Sequence, residues 1–73
     1  TIFREGVLSV DYAQNLVVIK TMPGLANGAA AALDGMEVPY LVGSLAGDDT
    51  VLLVLRDNAA AAEFADEIKE MLR

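Results

Sequence analysis

Two apolar runs, Leu41 to Ala46 and Val51 to Leu55, are separated only by Gly47-Asp48-Asp49-Thr50. Neither run alternates polar with apolar residues as a strand with one wet face would, so together they read as a hairpin of central strands with helices on one face and another chain on the other. Gly47-Asp48 suits the tight turn between the arms. The hairpin therefore carries two adjacent carboxylates at its tip, close to other protein. Two carboxylates about 4 Å apart repel by roughly 1 kcal/mol in water and several-fold more where water is partly excluded, so a covered tip needs a positive partner.

The rest of the composition narrows the setting. A chain of 73 residues reads as a single domain, residues 1–73, and a domain this small buries only about 60% of the surface its unfolded chain exposes. It has neither cysteine nor histidine, which removes disulfides and thiolate or imidazole metal sites and fits a reducing compartment. Self-association is the staple left. A hydrophobic content of 55% and a mean hydropathy of +0.44 favour it, so a homo-oligomer is expected. No apolar run approaches the ~18 residues of a membrane span and the amino end lacks a secretion signal, which predicts a soluble, cytoplasmic chain without a membrane partner. Because it opens at Thr1 in a strand-like segment, without an initiator methionine, it is expected to be a domain of a longer protein. The net charge of -6, with only five Lys and Arg, argues against nucleic-acid contact by this segment and suits a small cationic ligand.

Along the chain, Ile2 to Val10 reads as mostly extended, interrupted by Gly6, and Leu16 to Thr21 is a strong strand signal. Asp11 to Asn15 suits the loop between them, with Asn15 able to turn left-handed. Met22-Pro23-Gly24 ends the strand, and Pro23 is placed for the first position of a helix running to about Gly35. Leu25, Ala29, Ala32, Leu33 and Met36 predict the inward stripe of that helix and Gly35 its left-handed terminator. The opposite face, with Asn27, Ala30, Ala31 and Asp34, has no long charged side chain and is expected to pack on a second subunit. Asp57-Asn58 caps a final helix with Ala61, Phe64, Ile68, Met71 and Leu72 inward, and Glu63, Asp66, Glu67, Lys69, Glu70 and Arg73 in water. The order ββαββα predicts an α+β fold of two layers, a four-stranded antiparallel sheet with two helices on one face.

Taken alone, Asp48-Asp49 leaves three readings open: a plain turn with Asp49 solvated, a Mg²⁺ or Ca²⁺ site built on oxygen ligands, or a guanidinium site matched by a planar donor fork. A Gly-Asp-Asp turn also occurs in nucleic-acid polymerases, but this chain is far too short for one and lacks a basic channel. Asn27 and Asp34 stand seven positions apart and share the alanine-rich face. If that face is covered, each needs a hydrogen-bond partner, which the backbone groups of an amino-acid ligand could supply. Lys20 and Arg56 end strands and read as solvated or paired; Tyr12 and Tyr40 read as loop residues packing at the sheet ends. Without His or Cys no nucleophilic triad can form, and the carboxylates show no acid/base pairing. Neither a catalytic residue, nor a metal ligand, nor a cofactor is expected, and the chain does not read as an enzyme.

Three segments carry a resemblance: Asn15-Leu16-Val17-Val18-Ile19-Lys20-Thr21; Pro23-Gly24 with Asn27 and Asp34 following; and Val42-Gly43-Ser44-Leu45-Ala46-Gly47-Asp48-Asp49-Thr50. Across almost its whole length the chain resembles the carboxy-terminal domain of the bacterial arginine repressor, whose usual form of the last motif is Gly-Thr-Ile-Ala-Gly-Asp-Asp-Thr; Ser44-Leu45 is a conservative departure. The resemblance implies a trimer and a hexamer (a dimer of trimers), with L-arginine bound as effector between the trimers. It also implies operator DNA contacted only through a winged helix-turn-helix domain outside this chain. Carried over by position, Asn27, Asp34, Asp48 and Asp49 would contact the ligand. The competing expectation is a small α/β regulatory or assembly domain that binds another amino acid or a divalent metal.

Overall fold

A computed structural model describes residues 2–73. A short helix α1 (Ile2–Gly6) leads into β1 (Val7–Ala13) and β2 (Leu16–Thr21), followed by α2 (Ala26–Asp34), β3 (Leu41–Ala46), β4 (Thr50–Leu55) and α3 (Asn58–Met71). The strands form one antiparallel sheet in the order β1-β2-β4-β3. The ββαββα expectation therefore holds, with α1 added in front. Ile2–Gly6 was expected to be extended; it is helical, and the strand begins only at Val7.

The two central strands show the alternation that decides the core. Val17, Ile19 and Thr21 of β2 and Val51, Leu53 and Leu55 of β4 are buried beneath the helices. Onto them α3 lowers Ala61, Phe64, Ala65 and Ile68, and α2 lowers Ala26, Ala29, Ala30 and Leu33. Each large apolar side chain removed from water in this way contributes on the order of 1.5–3 kcal/mol. Met71 was expected in the α3 stripe but is exposed, because it ends the last turn beyond the sheet.

The α2 stripe is turned from the expected one. Leu25 is the N-cap and Met36 lies past the helix end, so neither is held by helical geometry and both are exposed, as is Ala32. Leu33 and three alanines set the inward face instead, which draws Ala30 into the core and leaves Asn27, Ala31 and Asp34 outside. Gly35 keeps a right-handed backbone (φ -67), and the left-handed residue is Glu37 (φ 55) two positions later. Pro23 is not the first helical residue. It occupies the second position of a turn closed by Leu25 N–H on the Met22 carbonyl at 3.1 Å, with Gly24 at φ +83 in the third, which is a type II turn.

In the first hairpin β1 runs on to Ala13, and the left-handed residue is Gln14 (φ 54) rather than Asn15. Asn15 cannot turn away because its carbonyl accepts Leu55 N–H at 2.8 Å and its side-chain amide donates to the Leu55 carbonyl at 3.3 Å, extending the β2/β4 ladder. Tyr12 accordingly lies within β1 rather than in a loop.

The second hairpin has helices on one face, as expected, and its other face, expected to meet another chain, is open, with β3 at the sheet edge rather than central. Its β4 arm is buried inward and half-buried outward, while β3, an edge strand, is mostly exposed, with Leu45 at 73% and Val42 at 56%. Register places Val18, Leu52 and Leu45 in one row of the outer sheet face and Leu16, Val54 and Gly43 in the next. The chain thus covers this hairpin on one face only and leaves an apolar field on the other.

Candidate functional site

The connection from β3 to β4 is Gly47-Asp48-Asp49, one residue longer than the Gly47-Asp48 turn expected, and Gly47 N–H closes it on the Thr50 carbonyl at 2.9 Å. Both aspartates are exposed. Their carboxylates have different surroundings. Asp49 Oδ1 accepts the Thr50 hydroxyl at 3.0 Å, and that hydroxyl accepts in turn from Lys20 Nζ at 3.1 Å, so a cation already stands one hydroxyl away. Asp48 has no side-chain partner among the described residues. It is the carboxylate with capacity for an incoming cation.

The backbone of the same two residues fixes where they sit. The Asp48 carbonyl accepts Gly24 N–H at 3.1 Å and Ala26 N–H at 3.3 Å, and the Asp49 carbonyl accepts Thr21 N–H at 2.8 Å. A helix start leaves amides without partners, and Leu25 offers no side-chain cap, so Asp48 satisfies this end from another hairpin. Asn27, the residue after Ala26, consequently lies beside the acidic turn with its side chain exposed.

Asp34 is the last residue of α2, about 10 Å further along the axis at 1.5 Å per residue. Its Oδ1 accepts the Ser44 hydroxyl at 3.3 Å, tying the helix end to β3. Of the four expected ligand contacts, the fold gathers Asn27, Asp48 and Asp49 at one end of α2 and sets Asp34 two turns away on the same helix. A hollow of about 330 Å³ on the sheet near β1 and β2, lined by Ser9, Asp11, Tyr12, Ala13, Val18 and Lys20, includes none of the four.

Ser44, Thr50 and the Gly24 amide join the site without having been expected there. Thr50 carried a local signal, since a hydroxyl beside a carboxylate commonly bonds to it. Gly24 carried one in the Pro-Gly dipeptide of a type II turn. Ser44 carried none, because its meeting with Asp34 depends on the packing of α2 over β3. Lys20, expected to be solvated or paired, is exposed and donates to the Thr50 hydroxyl. Among the described residues no group of three or more His, Cys, Asp or Glu is placed to hold a metal ion, and no helix is long and apolar enough to cross a membrane.

Residues 3–70 match the family described as the arginine repressor, C-terminal domain. The chain is 48% identical over 73 residues to an arginine repressor of Acetivibrio thermocellus, covering 100% of this chain and 48% of that protein. It is 49% identical over 72 residues to an arginine repressor of Symbiobacterium thermophilum (99% and 48%), and 45% identical over 71 residues to one of Caldicellulosiruptor saccharolyticus (97% and 47%). It spans about half the length of these relatives. Their shared name is that of a transcriptional regulator, not of an enzyme. With a match over nearly all of its residues, this chain belongs to the family of arginine repressor C-terminal domains.

Proposed function

We propose that this chain is the arginine-sensing and oligomerisation domain of a repressor of arginine metabolism. It assembles as trimers that pair into a hexamer, with L-arginine bound as corepressor between them. The single observation that carries the ligand is the Asp48-Asp49 turn: a carboxylate without a side-chain partner among the described residues, beside one joined to the Lys20 ammonium through the Thr50 hydroxyl. The bare apolar rows around Leu52 and Leu45 support the assembly.

The roles follow from chemistry. The guanidinium of arginine offers Asp48 two parallel N–H donors, the bidentate arrangement that gives the strongest charge-assisted bonds. Asp49, with one oxygen outside its bond to Thr50, accepts from the ligand ammonium and Asn27 donates to its carboxylate, while Asp34, two turns away on α2, meets the ammonium from a facing protomer. A cation between acidic turns of facing protomers removes the repulsion that otherwise opposes their approach. Because it binds the assembled state in preference to separate trimers, arginine favours the hexamer by mass action, and the hexamer sets the spacing of DNA-binding domains outside this chain.

Sedimentation of the 73-residue chain with and without millimolar L-arginine, together with calorimetry against L-arginine and L-lysine, tests this. Arginine is expected to shift the chain from trimer to hexamer and to bind much more tightly than lysine, whose ammonium is a point charge without a planar fork. A monomer indifferent to arginine, or equal binding of the two amino acids, would reject the proposal.

A further inference from the structure

The acidic turn is held by three amides from one short segment: Thr21 N–H on the Asp49 carbonyl, and Gly24 and Ala26 N–H on the Asp48 carbonyl. Two of these depend on the type II turn Met22-Pro23-Gly24-Leu25, which brings the start of α2 round to face the hairpin. That turn requires φ +83 at Gly24, a backbone that L side chains rarely adopt. A Cβ added there would meet nothing within 4 Å. Space does not demand a glycine at this position; the dihedral does.

We propose that Gly24 is a positioning residue for the arginine site: its left-handed backbone aims the Gly24 and Ala26 amides at the Asp48 carbonyl and so fixes the acidic turn beside Asn27 before the ligand arrives. The inference rests on the arginine reading above. An exposed loop bearing two like charges loses conformational freedom when a ligand orders it, and a loop already fastened through its backbone loses less. The side chain of Asp48 meets the cation; its carbonyl, gripped from α2, determines where that side chain starts.

Chemical synthesis of the 73-residue chain allows the test, with Gly24, Gly24→Ala and Gly24→D-Ala compared by calorimetry against L-arginine and by thermal melting without it. Gly24→Ala is expected to weaken arginine binding about tenfold, the factor that corresponds to forcing one L-residue into the left-handed region. Gly24→D-Ala adds the same methyl but prefers positive φ, and is expected to bind like the glycine chain. Ile68→Val, in the core of α3, serves as a control that lowers the melting temperature and leaves arginine affinity unchanged. Full affinity in Gly24→Ala overturns the proposal, as does equal loss in the L and D forms. A chain with an ester oxygen in place of the Gly24 N–H keeps the glycine dihedral and deletes one bond to Asp48; undiminished affinity in it overturns the role even if Gly24→Ala does not fold. Absence of arginine binding by the unmodified chain overturns the functional reading and this inference together, whereas binding that no variant changes overturns this inference alone.

Discussion

The two long helices lie on the same face of the same sheet, yet they are held in opposite ways. α3 closes its own start: Asp57, extended at φ -155 and ψ 174, accepts Ala60 N–H at 2.7 Å, and its outer face carries Glu63, Asp66, Glu67, Lys69 and Glu70. α2 has no side-chain cap, no acidic residue in its first turn and no basic residue in its last. Its start is completed by a carbonyl that arrives 22 positions after Ala26 in the chain, from Asp48. Nine residues that include Asn27 and Gly28 would not form a stable helix alone, so α2 depends on the hairpin it touches. A self-contained helix contributes stability wherever it docks, whereas a helix completed by a loop proposed to bind a ligand shares that loop's fate.

This contrast predicts that damage to α3 is read in melting and damage at the α2 end is read in ligand binding. Phe64→Ala should have the largest effect, since Phe64 is fully buried and packs edge-on against Tyr40, with ring centroids 6.0 Å apart. A loss of about 3–5 kcal/mol is expected, enough to lower the melting temperature of so small a domain by roughly 15–40 °C or to abolish its cooperative melt. Asp48→Asn should come next, weakening L-arginine by about 2–4 kcal/mol in calorimetry. The backbone carbonyl survives that substitution, so α2 keeps its cap, and melting without arginine should stay within about 0.5 kcal/mol of the original. If Asp48→Asn lowered the melt as strongly as it lowered affinity, the division between the helices would be broken.

The same contrast explains what could be read before the fold was known. Most of what is local in α3 was legible: the Asp57 cap, the inward Ala61, Phe64 and Ile68, and the charged outer face, with Met71 in the last turn the exception. For α2 the apolar period was visible but its phase was not, because Leu25 and Met36 weighed in the pattern while lying outside the helix, and alanines carry little signal of facing. The acidic turn was conspicuous for its sequence alone. Its attachment to Thr21, Gly24 and Ala26 was not, since backbone carbonyls are identical at every position and only the β2/β4 register brings these together. The apolar run of β3 was expected to lie in a central strand, with helices on one face and another chain on the other, and it forms an edge strand. Its outer side is exposed in the single chain, and it is this side that the proposed assembly would cover.

A smaller effect sharpens the comparison at the helix caps. Asp57→Ala deletes the side-chain acceptor of Ala60 N–H and should cost about 1 kcal/mol, seen as a fall in melting temperature of several degrees. Arginine affinity should not move. No single side-chain substitution can remove the equivalent acceptor of α2, because it is a main-chain oxygen. A Asp57→Ala chain with impaired arginine binding would mean that the two helix starts are coupled through the sheet, contrary to the independence argued above.

The smallest expected effect concerns the link between the helices, where Tyr40 follows α2 and reaches across to α3. Its hydroxyl donates to the Glu67 carboxylate at 3.1 and 3.3 Å. Burial of the phenol, the hydrogen bond to Glu67 and the negative charges of Glu67 and Glu63 raise its pKa above the ordinary 10.0. A raised acid keeps its proton longer when folded than when unfolded, so its contribution is intact below the unfolded value and is lost as pH rises through the folded one. The chain should therefore lose melting temperature more steeply above about pH 10 than Tyr40→Phe, which keeps the ring against Phe64 and lacks the titrating group. At neutral pH the two should bind arginine alike, placing Tyr40 with α3 as a stabilising contact. Parallel melting curves across the alkaline range would show that the hydroxyl contributes nothing, and a change in arginine affinity would move Tyr40 to the side of the acidic turn.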